Sequence, residues 1–146
     1  MTPLNIKLNI LNPSFIMPAY SHIGDAGMDL YSLEEIKLAP GERKKTPCGF
    51  SIEIPEGYFG AIAPRSGLAN QYGLTLVNSW GVIDSSYRGE ICVIIINLGR
   101  EDVILPSKTR IAQLLVIPVI EVNLIAVEEK LIETDRGAKG FGSSGL

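Results

Sequence analysis

A chain of 146 residues is long enough for one domain with a sizeable core. Its 16 acidic and 13 basic residues give a net charge of −3, which excludes a broadly basic nucleic-acid-binding surface and leaves any phosphate to a few local cations. The one histidine, His22, excludes a His-rich zinc site and weighs against a Ser-His-Asp triad, while Cys48 and Cys92 form no C-x-x-C and read as two buried thiols of an intracellular chain.

The opening stretch MTPLNIKLNILNPSF has no basic start followed by an apolar run, so no signal peptide is expected. Within it, LNIKLNI alternates apolar and polar residues with the period of a strand. DAGMDL (25–30) reads as a loop dense in Gly and Asp. EIKL, GFSIEI and GYFGAIA follow as short strands, separated by Pro40-Gly41 and Pro55-Glu56-Gly57. APRSGLA (63–69) opens the one expected helix, a turn or two after Pro64. GLTLV, EICVIIIN, DVIL and RIAQLLVIP complete the strands, with turns at Leu98-Gly99 and Pro106-Ser107. Many short strands at this spacing predict an all-β sandwich, barrel or jelly roll. ICVIII (91–96) does not alternate and predicts a strand buried on both faces, one of them against either the core or another subunit. IAQLLVIPVI is too short for a membrane helix and is broken by Pro118, so a soluble cytoplasmic protein is the default expectation.

GFGSSG (140–145) is a formal match to G-x-G-x-x-G, but a dinucleotide loop needs a strand before it and a helix after it, and only Leu146 follows here. Four segments combine Gly, Asp, Arg and Ser: DAGMDL, APRSGLA, GVIDSSYRGE and RGAKGFGSSGL. Taken singly, each can be read as a turn or a cap. Taken together, they supply a set of groups suited to one ligand. Arg65, Arg136 and Arg88 could grip phosphate oxygens as forked donors. Ser66 and Gly67 offer a hydroxyl and an N–H at a helix start. Asp29 and Asp84 could hold a hard cation or orient water. Tyr87 and Phe141 are flat surfaces for a sugar and a base. A nucleotide uses all of these at once.

In order along the chain, AGMDL (26–30), PRSGLA (64–69), NSWGVIDSSYRGE (78–90), RIAQL (110–114) and RGAKGFGSSG (136–145) resemble the five motifs of the trimeric deoxyuridine triphosphatases, most closely the bacterial members. The resemblance spans nearly the whole chain. It implies an all-β, distorted jelly-roll or β-clip subunit over 1–134, with residues 135–146 as a C-terminal arm that closes as a lid. It also implies a homotrimer with three active sites at the subunit interfaces. The implied activity is Mg²⁺-assisted hydrolysis of dUTP to dUMP and pyrophosphate, which keeps uracil out of DNA and supplies dUMP for thymidylate synthesis. No membrane or nucleic-acid partner is implied.

Site residues follow by motif position. Asp84 matches the aspartate that orients the water attacking the α-phosphorus. Arg65, Ser66, Gly67 and Gln113 match phosphate contacts, and Asp29 matches a carboxylate near the metal and its waters. Asn78 and Gly81 belong to a hairpin, expected over about 73–87, whose backbone reads uracil; Tyr87 matches the residue that packs under the sugar and excludes a 2′-hydroxyl. Arg136, Phe141, Gly142 and Ser143 match the arm's substrate contacts, with Phe141 on the base and Arg136 and Ser143 on the phosphates.

The chain departs from the family at four positions. Ser86 stands where a second aspartate is usual in the third motif, Trp80 where smaller residues or proline are common, and Lys139 where glycine is usual. Met28 replaces an aromatic or aliphatic residue and reads as a packing change. Two rival functions are a dCTP deaminase on the same fold, which needs a glutamate beside the base, and a nucleotide sensor that has lost catalysis. GVIDSSYRG weighs against the first, and the presence of Asp84, Arg65 and Phe141 against the second.

Overall fold

The alternating LNIKLNI becomes β1 (Lys7–Ile10), which pairs antiparallel with β5 (Phe50–Glu53), placing Leu8 opposite Ile52. The structure, a computed structural model, describes residues 3–140; Phe141, Gly142 and Ser143 lie outside the described residues. Every expected strand forms. The others are β3 (Ile36–Leu38), β6 (Tyr58–Pro64), β7 (Leu74–Leu76), β9 (Cys92–Asn97), β10 (Val103–Leu105) and β11 (Arg110–Pro118). Two further strands were not expected, β2 (Met28–Tyr31) and β4 (Arg43–Pro47), and β8 (Gly81–Ile83) falls within the segment expected as a hairpin. β4 reads RKKTP and has no strand pattern of its own. It is extended because β9 pairs with it from Arg43↔Ile96 to Pro47↔Cys92.

The strands form a four-stranded sheet in the order β2-β11-β6-β8, a three-stranded sheet β4-β9-β7, and the two-stranded pairs β1-β5 and β10-β3. All ladders are antiparallel. Leu30, Phe50, Ile62, Ile95, Ile111 and Leu114 meet in one core drawn from these sheets, and Met28 packs against it as expected of a packing change. The one helix among the described residues, α1 (Ser66–Tyr72), begins where PRSGLA predicted. It ends at Gly73, whose φ of 71° is left-handed and whose N–H bonds the Ala69 carbonyl. A side chain at Gly73 would also come within 2.7 Å of the Gly99 nitrogen, so this turn requires glycine twice over.

Three expectations change. Within one chain ICVIII is buried on one face only: Val93, Ile95 and Asn97 are buried, whereas Cys92, Ile94 and Ile96 are half-exposed, so the chain's own core does not cover the second face. The alternation is hidden in the sequence because both faces are apolar. Residues 73–87 are not a paired hairpin either. β7 bonds β9 and β8 bonds β6, so this segment crosses between the two larger sheets. Finally, only Cys48 is a fully buried thiol; its burial, with Cys92 and Glu90 nearby, pushes its pKa up to about 12. Cys92 is half-buried, and burial raises its pKa against the opposing pull of Lys45.

Two buried polar side chains on the β4-β9 sheet contrast. Asn97 is satisfied on every side. Its Nδ2 donates to the Leu38 carbonyl at 3.0 Å and to the Glu101 carbonyl at 2.8 Å, and its Oδ1 accepts the Gly99 N–H at 2.8 Å. Thr46 is equally buried, yet its hydroxyl has no hydrogen-bond partner among the described residues. Thr46→Val keeps the shape and removes the unpaired group. It is expected to raise stability by about 1 kcal/mol, read as a higher urea midpoint at unchanged slope. A lower midpoint would mean that the hydroxyl is paired.

The last tie to the sheets is Val119, whose N–H bonds the Gly57 carbonyl. Within one chain the backbone leaves the sheets there. Residues 119–140 form no strand or helix and are exposed, including Ile120, Leu124, Ile125, Leu131 and Ile132. Among the described residues no helix is long and apolar enough to cross a membrane.

Candidate active site

Strand register assembles the centre of the site. Asp29 on β2 lies opposite Gln113 on β11, and Gln113 lies opposite Ala63 on β6. Arg65 follows just past the end of β6. In a regular strand Arg110 and Gln113 would point to opposite faces. The β2-β11 register shifts between Arg110 and Ala112, and this bulge brings both into one cavity. That cavity, of about 450 Å³, is lined by Asp29, Arg65, Arg110 and Gln113, with Ser21 and His22 from the preceding loop.

Asp29, 2% exposed, is the hub. Arg65 Nε lies 3.1 Å from Oδ1, and Arg110 Nη1 lies 3.3 Å from Oδ2. The Ser21 hydroxyl donates to Oδ2 at 2.9 Å. Arg65 Nη1 also donates to the Arg110 carbonyl at 3.3 Å. The Arg65 contact to Oδ1 is an ion pair without the alignment of a hydrogen bond, so Oδ1 remains a buried acceptor with no bonded donor. A guanidinium has five N–H donors. Each arginine commits only some of them to these partners, and the rest remain for an anion. The buried carboxylate thus fixes two cations at the wall of a cavity, which suits a polyphosphate.

Ser66 and Gly67 sit exposed at the start of α1, where the N-cap Arg65 makes no side-chain capping bond. The space beside the Gly67 Cα is open. Asn78 and Gly81 line a different and much smaller cavity of about 50 Å³, with Ile62, Leu76, Cys92 and Ile94. Its walls mix aliphatic side chains with exposed polar atoms, and Asn78 supplies an amide. Trp80 is 57% exposed and lines neither cavity, so it does not narrow the pocket within one chain.

Asp84 and Tyr87 line neither cavity and lie on the exposed turn after β8. The Asp84 carboxylate has no hydrogen bond or ion pair among the described residues. The turn is held by the Tyr87 N–H on the Asp84 carbonyl and by Arg88. Arg88, one candidate phosphate ligand, instead donates Nη1 to the carbonyls of Ser85 at 2.6 Å and Tyr87 at 2.8 Å. This clasp holds the loop in which Ser86 replaces the usual aspartate. Arg136 lies in a local turn, its Nε donating to the Lys139 carbonyl at 3.1 Å.

One chain therefore joins Asp29, Arg65 and Gln113, separately joins Asn78 and Gly81, and leaves Asp84, Tyr87 and Arg136 apart from both. Sequence reasoning missed Arg110 and Ser21 around Asp29, and Cys92 in the small cavity. Arg110 opens the RIAQL motif, but only the bulge shows that it shares a face with Gln113. As for a metal, the described residues contain no group of three His, Cys, Asp or Glu placed to hold one. The donor set fits a Mg²⁺ carried by a ligand's own oxygens and approached through water, since Asp29 is already flanked by two guanidiniums.

A family profile described as dUTPase matches residues 14–145. The chain is 44% identical to the deoxyuridine 5′-triphosphate nucleotidohydrolase of Clostridioides difficile, over 97% of this chain and 99% of that protein. It is 47% identical to the same-named protein of Syntrophotalea carbinolica over the full length of both. Among solved structures, the dUTPase of Staphylococcus bacteriophage 80alpha with dUPNHPP superimposes with a TM-score of 0.89 at 29% identity, over 97% of this chain and 99% of that one. A mutant dUTPase from phage phi11 of S. aureus, whose structure is described as revealing the coordination of a structural Mg(II) ion, gives a TM-score of 0.80 at 25% identity, over 86% of this chain and 98% of that one. With a matching profile over most of its length and relatives this similar, the chain belongs to the dUTPase family.

Proposed function

We propose that the protein is a dUTP diphosphatase that hydrolyses dUTP to dUMP and pyrophosphate. The observation that carries this is the Asp29–Gln113–Ala63 row across three strands, which sets Arg65 and Arg110 as fixed cations at a cavity wall. Arg65, Gln113 and the N–H groups at Ser66 and Gly67 bind the phosphates. The small cavity with Asn78 and Gly81 receives uracil, whose size and donor–acceptor pattern exclude thymine and cytosine. Tyr87 packs under the sugar. The Asp84 carboxylate orients a water and accepts its proton as the water oxygen bonds the α-phosphorus. The bond from that phosphorus to the bridging oxygen breaks, and pyrophosphate leaves. Positioning and charge neutralisation do most of the work in such a transfer. Mg²⁺ bound with the triphosphate would neutralise charge on its oxygens, and Asp29 is the carboxylate that would hold its waters.

The working unit in this proposal is a homotrimer with shared sites in the cytoplasm. Three observations support the assembly. The site residues fall in separate places on one chain; β9 presents a half-exposed apolar stripe; and the exposed segment after Val119 is rich in large aliphatic residues that water does not favour. The arm, with Arg136, Phe141, Gly142 and Ser143, closes over substrate.

The test is pyrophosphate release with Mg²⁺ from dUTP, dCTP, dTTP and UTP, each alone. Release from dUTP only is expected. Release from none with dUTP still bound would make the protein a nucleotide sensor, and ammonia from dCTP would make it a deaminase.

A further inference from the structure

The loop after β8 is locked onto itself around one empty position. The Tyr87 N–H donates to the Asp84 carbonyl at 3.0 Å, and the Tyr87 hydroxyl donates to the Glu90 carbonyl at 3.1 Å. Glu90 is tied to the body, its Oε1 accepting the Gly49 N–H at 3.0 Å. Between these ties lies Gly89. A Cβ there would overlap Tyr87 Oη and would lie 2.6 Å from Cζ and 3.0 Å from Cε2. Carbon atoms in contact prefer about 3.5–4.0 Å. The phenol ring thus occupies the space that any other residue at 89 would need for its side chain.

We propose that Gly89 is a specificity-determining residue, whose missing side chain seats the Tyr87 ring so that the ring presents one fixed face to the sugar and excludes a 2′-hydroxyl. This rests on the proposed hydrolysis of dUTP and on Tyr87 lying under the sugar. The loop is braced against yielding in place of the ring, by its own bonds at Asp84 and through Arg88 and by the Glu90 tie to Gly49. With a methyl at 89 the ring must leave its seat by roughly 1 Å. It then loses the Glu90 carbonyl, and the fixed face that rejects ribose is gone.

The experiment compares kcat/KM for dUTP with that for UTP in wild type, Gly89→Ala, Tyr87→Phe and the double variant. Because both substrates are tested on one preparation, the ratio does not depend on the fraction folded. Gly89→Ala should lower the dUTP-to-UTP ratio about tenfold or more. Tyr87→Phe should keep most of the ratio, since its ring still fits the seat. The double variant should lose less than the two singles combined, because removing the hydroxyl relieves the closest overlap. An unchanged ratio in Gly89→Ala, additive losses in the double variant, or an equal fall in Tyr87→Phe would each overturn the proposal. Wild type that releases no pyrophosphate from dUTP overturns the proposed function and this inference together. Wild type that does, with an unchanged ratio in Gly89→Ala, overturns the inference alone.

Discussion

Asp84→Asn is expected to lower kcat for dUTP by about 100- to 10,000-fold, the usual range for losing a positioned acid or base. The substitution changes little else. Asp84 is exposed and its carboxylate has no partner among the described residues, so neither packing nor a hydrogen-bond network depends on it. Asparagine has nearly the same shape but cannot accept the water's proton. Affinity for a non-hydrolysable dUTP analogue should therefore stay within a few-fold of wild type, as should the melting temperature. Single-turnover kinetics beside analogue titration separates the two effects. Normal turnover would remove Asp84 from the mechanism, and loss of binding along with turnover would give it a different role.

The second large effect is expected at Asp29, on stability and substrate binding together. Breaking a buried ion pair from one side costs about 3–5 kcal/mol. Since Arg65 and Arg110 keep part of their surface in water, the cost for Asp29→Asn belongs near the lower end, at about 3 kcal/mol. Asparagine also turns an N–H₂ toward groups that are themselves donors, the two guanidiniums and the Ser21 hydroxyl. With their anchor gone, the arginines no longer stand ready for phosphate, and KM for dUTP should rise about tenfold or more. Urea titration and steady-state kinetics on the same preparations test both parts. A variant with wild-type midpoint and KM would show that the arginines hold their places without the carboxylate.

Legibility in the sequence follows where each piece of structure gets its cause. Strands such as LNIKLNI or GFSIEI state their period locally, and the helix states its start through Pro64, so both are readable. β4 takes its form from β9, more than forty positions along the chain at Arg43↔Ile96, and RKKTP carries no trace of that. β9 has a buried and an outer face, but isoleucine on both makes them look alike. The motifs supplied Asp29, Arg65 and Gln113 because their chemistry is written in residue type. Arg110 escaped because its place depends on a one-residue slip in register, which no spacing rule contains. The hairpin implied by the resemblance differs for a related reason. Two short strands joined by a turn usually pair with each other, and here each finds a better neighbour in a different sheet.

The exposed aliphatic stretch beyond Val119 ties the proposed assembly to how dilute the protein is. In the proposed trimer that stretch is shielded by neighbouring copies. At low concentration, mass action frees single chains and puts it in water. VIEVNLIAV is then an extended, β-prone, weakly charged ribbon, the composition that adheres to vessel walls and seeds aggregates. For the proposed trimer the thermal midpoint is therefore expected to rise with protein concentration, which melting curves over a dilution series check.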